Sequence, residues 1–135
     1  MSIVLDASVW VSAAIPGDRH HEVTRSWLAE VSSRETLVTP ALGLLEAAGA
    51  VARRTGSAAL ARQIVRAIEQ LPNVVIVIPD AELWTLAMET AAGRALRGAD
   101  ALYVALAQAL GMPLATWDDD QHRRVGARIR TVTPA

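Results

Sequence analysis

Short apolar runs, each too brief for a helix and each followed by a longer segment of helical period, constrain this chain most. They are Ile3–Leu5, Thr36–Val38, Val74–Ile78 and Leu114–Thr116; Arg130–Val132, which is not apolar and precedes no helix, is expected as a last, fifth strand. Val74–Ile78 is the clearest, with consecutive β-branched residues that suit a strand buried on both faces. Between the runs, helices are expected from Ser8 to before Pro16, from His20 to Ser33, from Pro40 to about Arg54, from Ser57 to about Leu71, from Asp80 to about Ala92 and from Asp100 to Leu110. Thr39-Pro40 reads as an N-cap followed by proline at the first helical position. Val23, Trp27, Leu28 and Val31 form the apolar stripe of the second helix; Leu102, Ala105, Leu106 and Ala109 form that of the last. Strands alternating with helices predict a three-layer α/β/α sandwich around a central, largely parallel five-stranded sheet. With 135 residues and no linker in view, residues 1–135 read as a single domain.

Composition narrows the chemistry. Hydrophobic residues make up 52% of the chain and Phe is absent, so Ala, Val, Leu and Ile must build the core. There is no Cys, which excludes disulfides, thiolate metal sites and cysteine nucleophiles and fits a reducing compartment. No basic leader precedes the first apolar run and no continuously apolar stretch approaches the ~18 residues of a membrane span, so a cytoplasmic protein is expected. All 13 basic residues are Arg. Of the 14 acids, five are candidate site residues, which leaves nine to face 13 arginines over the rest of the molecule. A basic body around an acidic pocket suits a polyanionic substrate, although arginines also scatter over solvated helix faces.

Those five acids fall where elements begin or end. Asp6 follows the first strand, Asp118 follows the fourth, Asp100 opens a helix and Glu46 lies on the apolar side of another; Asp120, the fifth, stands with its neighbour Asp119 beside Asp118. Ligands of parallel α/β sheets bind beyond the carboxyl ends of the strands, where Asp6 and Asp118 fall. Each acid has an ordinary explanation as a helix cap or an acidic turn. Together they repel: a like-charge pair at about 4 Å costs roughly 4 kcal/mol at an effective dielectric near 20. Divalent metal is the simplest compensation, and hard oxygen ligands suit Mg²⁺ or Mn²⁺. Arg53, Arg54, Arg94 and Arg97 are candidates for phosphate contact.

Four stretches in order carry a resemblance. They are Ile3-Val4-Leu5-Asp6-Ala7-Ser8-Val9, Leu45-Glu46-Ala47-Ala48, Gly98-Ala99-Asp100-Ala101-Leu102-Tyr103-Val104-Ala105-Leu106-Ala107 and Leu114-Ala115-Thr116-Trp117-Asp118-Asp119-Asp120. Over nearly its whole length the chain resembles the PIN-domain nucleases, and within them the VapC-type toxins of bacterial toxin–antitoxin pairs. The resemblance implies a metal-dependent endoribonuclease. Asp6, Glu46, Asp100 and Asp118 are then the catalytic, metal-binding quartet, with Asp120 as an auxiliary fifth ligand. Ser8 and Thr116 support them as hydroxyls at the rim. It also implies an RNA substrate, a cognate antitoxin protein and pairing into a homodimer through helices, for which Leu44, Val51 and Val65 offer apolar surface. Trp117 and Gln121 depart from the family pattern.

Other classes fit less well. A receiver domain requires a Lys at its site, and this chain has none. A haloacid-dehalogenase-type phosphatase places a second Asp two residues after the first, where Ser8 stands. A DNA flap nuclease is usually longer. A non-catalytic, partner-binding PIN-like module is the remaining alternative, and a housekeeping RNA-processing nuclease would share the same acids. His20 and His21 point to different helix faces and are expected at the surface; Tyr103 and Trp10 read as core residues, and His122 more as a structural residue than a ligand.

Overall fold

The structure, a computed structural model, describes residues 2–125 and 129–135, with the side chain of Asp120 outside the described set. The chain alternates strand and helix: β1 (Ser2–Leu5), α1 (Ala7–Ala14), α2 (His21–Ser32), β2 (Thr36–Pro40), α3 (Ala41–Thr55), α4 (Ala58–Glu69), β3 (Val74–Val77), α5 (Ala81–Arg94), α6 (Gly98–Leu110), β4 (Leu114–Ala115), α7 (Asp119–Arg124) and β5 (Thr131–Val132). The strands form one sheet in the order β3-β2-β1-β4-β5. All four pairings are parallel, with Ile3 opposite Leu37, Leu5 opposite Ala115 and Leu114 opposite Thr131. The expected α/β/α sandwich is therefore the fold, and Asp6 and Asp118 leave neighbouring strands at the same edge.

Two-residue alternation divides the core. Val4 and Val38 face one side, with Leu102, Leu106 and Leu114 from α6 and β4; Ile3, Leu5 and Leu37 face the other, with Val9, Trp10, Val51 and Ile68. β1, in the middle of the sheet, is covered on both faces. α6 is buried continuously from Ala101 to Ala107, so it is a central helix rather than an amphipathic one, and Ala109, expected inward, is exposed. Alanines at 47, 61, 101, 105 and 107 let helices approach closely where no Phe fills space.

Several expected details differ. β3 is an edge strand and is not buried on both faces: Val75 is 48% exposed and Ile78, just past its end, 79% exposed. Thr39 does not cap α3. It lies within β2, one residue before its end, and its hydroxyl donates to the Leu5 carbonyl at 3.2 Å. In α2 the buried positions are His21, Thr24 and Val31, while Val23 is exposed. Val51, expected on a dimer surface, is fully buried against the sheet, whereas Leu45 is exposed. The caps at Ser57 and Asp80 form as expected, with Leu60 N–H donating to Ser57 Oγ at 3.0 Å and Leu83 N–H to Asp80 Oδ1 at 2.8 Å. Gly56 and Gly111 end α3 and α6 at φ 71° and 64°, the left-handed conformation that favours glycine.

Candidate active site

Asp6 leaves β1 and its carboxylate caps α1. Oδ1 accepts from the backbone N–H of Ser8 at 2.9 Å and from the Ser8 hydroxyl at 2.5 Å. Only 4% of Asp6 is exposed. Burial pushes its carboxyl up to about 6, against the lowering effect of the Ser8 and Thr116 hydroxyls and the Ser8 N–H; the nearby Asp100 raises it further. Ser8 Oγ in turn accepts from the backbone N–H of Trp117 at 2.9 Å. The serine thus ties the loop after β4 to the acid that follows β1.

Glu46 reaches the same edge from the middle of α3. Its Oε1 accepts from the Tyr103 hydroxyl at 2.5 Å. That hydroxyl accepts the backbone N–H of Ala7 at 3.2 Å, so Tyr103 joins α3, α6 and the turn after Asp6. Tyr103 is 1% exposed. Burial, then the Glu46 carboxylate, hold its phenol far above the ordinary tyrosine range, so it remains a donor. Space for it depends on Gly43: a Cβ there would lie 2.6 Å from Thr39 Oγ1 and 3.1 Å from Tyr103 Oη. Sequence reasoning placed Tyr103 in the core and missed this second role. The signal was its position three residues after Asp100, on the next turn of α6.

Asp100 lies in the first turn of α6, and Asp118 follows β4. Arg97 stands between them, with Nε 3.5 Å from Asp100 Oδ2 and Nη2 4.0 Å from Asp118 Oδ2. The Asp118 loop is braced from behind. Asp118 N–H donates to Thr116 Oγ1 at 3.0 Å, and the Thr116 hydroxyl donates to Gln121 Oε1 at 3.1 Å. Gln121, 1% exposed, also donates to the Asp100 carbonyl at 3.2 Å. His122 turns away from the acids, pairing with Thr131 Oγ1 at 2.6 Å and the Thr116 carbonyl at 2.9 Å.

Asp6, Ser8, Glu46, Arg97, Asp100 and Asp118 line one cavity of about 240 Å³. The four acids named from the sequence are thereby brought together, with Thr116 buried behind them. The auxiliary acid, Asp120, has its side chain outside the described residues. Arg53 and Arg54 line an adjoining cavity. Arg94 does not join either; it lies between α5 and α6 beside Glu89 and Gln108.

Among the described residues no three carboxylate or imidazole groups already form a compact ligand cluster. The donor set nonetheless fits a hard divalent cation: four carboxylates face one pocket, one of them nearly buried. In the arrangement described, the Arg97 guanidinium supplies positive charge between two of them.

The PIN domain family model matches residues 3–127. The chain belongs to the PIN domain family. Solved PIN-fold relatives superpose over almost the whole chain. The VapC20 toxin of Mycobacterium tuberculosis, described as cleaving the sarcin–ricin loop, is 22% identical, with a TM-score of 0.77 over 96% of this chain and 99% of its own. VapBC2 from Rickettsia felis, bound to a promoter DNA fragment, is 15% identical, with a TM-score of 0.76 over 98% of each chain. FitAcB from Neisseria gonorrhoeae is 20% identical, with a TM-score of 0.65 over 98% of this chain and 97% of its own. Comparison with curated protein sequences returns no match. At these identities the likeness is one of fold, and the PIN-domain acids of this chain rest on its own residues and cavity.

Proposed function

We propose that this PIN-domain protein is a metal-dependent endoribonuclease and the toxin of a toxin–antitoxin pair. The observation that carries the reading is the single cavity lined by Asp6, Glu46, Asp100 and Asp118, at the strand-end edge of a PIN fold. These four would hold Mg²⁺ or Mn²⁺, with Asp120 as the proposed fifth ligand. The bound ion would supply an activated water and neutralise charge on the phosphate under attack. The chain's own residues prepare that chemistry. Ser8 orients Asp6, Tyr103 holds Glu46 towards the cavity, and the Thr116–Gln121 pair fixes the Asp118 loop. Arg97, largely exposed, can pass from the acids to an incoming phosphate. Arg53 and Arg54 can meet a flanking phosphate. Arg94, in its separate cavity, lies aside from that path.

The toxin reading is supported by fold likeness to VapC20 and to the VapBC2 and FitAcB proteins. It brings with it an antitoxin partner and a homodimer. For the homodimer, the apolar side chains exposed just past β3 (Ile78), on α5 (Trp84 and Met88) and on α6 (Leu110) are better placed than the buried Val51. No helix among the described residues is long and apolar enough to cross a membrane.

The test is incubation of wild type and Asp6→Asn with structured cellular RNA, in Mn²⁺, Mg²⁺ or EDTA. Wild type should cleave at discrete positions with metal only, and Asp6→Asn should not cleave. Cleavage that persists in EDTA or in the variant would overturn the mechanism.

A further inference from the structure

Beside the acid cavity lies a second, of about 290 Å³, that shares Ser8 and Glu46 with it. Its lining is mixed, with cationic and aromatic side chains beside the carboxylates of Asp18 and Glu46. Two arginines, Arg53 and Arg54, and a flat ring pair, His20 and Trp117, line it. The rings stack at 3.7 Å between centroids and 5° between planes. Both are fixed. The Trp117 indole N–H donates to Thr24 Oγ1 at 2.9 Å, and its backbone N–H to Ser8 Oγ. The backbone N–H of His20 donates to Asp18 Oδ1 at 2.9 Å, and the other oxygen of Asp18 pairs with Arg54 at 2.9 Å. Asp18 therefore ties the His20 backbone to Arg54, and the His20 ring itself accepts from Arg19 Nε at 3.0 Å through Nε2. The hydrogen bonds from His20 and Arg54 outweigh burial and hold the Asp18 carboxyl below the ordinary range. Among the described residues, Arg53 makes no ion pair or hydrogen bond.

We propose that this second cavity is a nucleotide subsite: it holds one unpaired nucleotide next to the phosphate in the acid cavity, its base stacked on His20 and its phosphate on Arg53. Unpaired RNA bases are recognised by stacking on aromatic or guanidinium planes, and their backbone by cationic side chains. A platform already stacked and tied down requires little ordering when the base arrives. The shared Ser8 and Glu46 make the two cavities consecutive along a strand. The proposal rests on the nuclease reading only for the assignment of the neighbouring phosphate.

The experiment is binding of labelled single-stranded oligoribonucleotides in EDTA, read by fluorescence anisotropy, with an abasic residue moved along the strand. Wild type should show one position where loss of the base weakens binding about tenfold, the size of one base–aromatic stack. His20→Ala should flatten that position, and His20→Phe, which keeps a flat ring, should restore it. Arg53→Gln should weaken binding several-fold at every abasic position and lower the salt dependence; Arg66→Gln, at an exposed position of α4, should not. A profile identical in wild type and His20→Ala overturns the subsite, as does unchanged affinity in Arg53→Gln. Parallel cleavage assays in Mn²⁺ separate the two readings. Cleavage with a flat profile leaves the nuclease and removes the subsite. A peaked profile without cleavage does the opposite. Absence of RNA binding in EDTA removes the subsite, and absence of cleavage in Mn²⁺ as well removes both.

Discussion

Replacing Asp6 by Asn should stabilise the metal-free protein while removing its metal-dependent cleavage. The Asp6 carboxyl is pushed from 3.8 up to about 6 in the folded chain, chiefly by burial. At about 1.36 kcal/mol per pKa unit, keeping Asp6 ionised costs the fold about 3 kcal/mol at neutral pH relative to the protonated form. The sign follows from the raised folded value. The stability gained from protonating Asp6 is fully present below 3.8 and is lost as pH rises through about 6. Asn carries no charge to desolvate, and its Oδ1 can still accept from Ser8. Asp6→Asn should therefore exceed wild type by up to about 3 kcal/mol at pH 8, with the gap closing towards pH 4. Urea unfolding in EDTA at pH 8, 6 and 4 measures it. Millimolar Mn²⁺ should narrow the gap at pH 8, because a ligand of the native state stabilises only the chain that binds it. Equal stability at pH 8 in EDTA, or a gap that does not change with pH, would refute the argument.

Tyr103→Phe keeps the ring in the core but removes the bond to Glu46 and leaves the Ala7 N–H without its acceptor. It should cost about 1–3 kcal/mol in urea unfolding and lower kcat for RNA with little change in KM. Gly43→Ala forces a Cβ to 2.6 Å from Thr39 Oγ1, and should destabilise by about 1–3 kcal/mol, visible as a lower Tm. Arg97→Gln removes the cation lying between Asp100 and Asp118. Isothermal titration should show Mn²⁺ binding more tightly to this variant, while anisotropy shows RNA binding more weakly.

Local pattern was enough for the elements themselves. Consecutive β-branched residues mark β3, and Ser57, Asp80, Gly56 and Gly111 mark helix ends through chemistry confined to a few neighbouring residues. The ordered acids were equally legible, because a carboxylate at a strand end is a local fact and the parallel sheet brings such ends to one edge. What the sequence left open depends on pairing between distant segments. That β3 is an edge strand, and so exposes Val75, follows from the sheet order and not from its own residues. His21 reads as a surface residue, yet its Nδ1–H donates to the Ser12 carbonyl at 2.9 Å because α1 packs on α2. Tyr103 looks like core filler until α3 sets Glu46 against its hydroxyl, 57 residues away in sequence. Trp117 stood out only as a departure from the family pattern, and tertiary packing brought His20 onto its ring from 97 residues away. Periodicity and caps are written in neighbouring residues. Which side chains meet at the site depends on how the layers stack, and only the tertiary structure decided that.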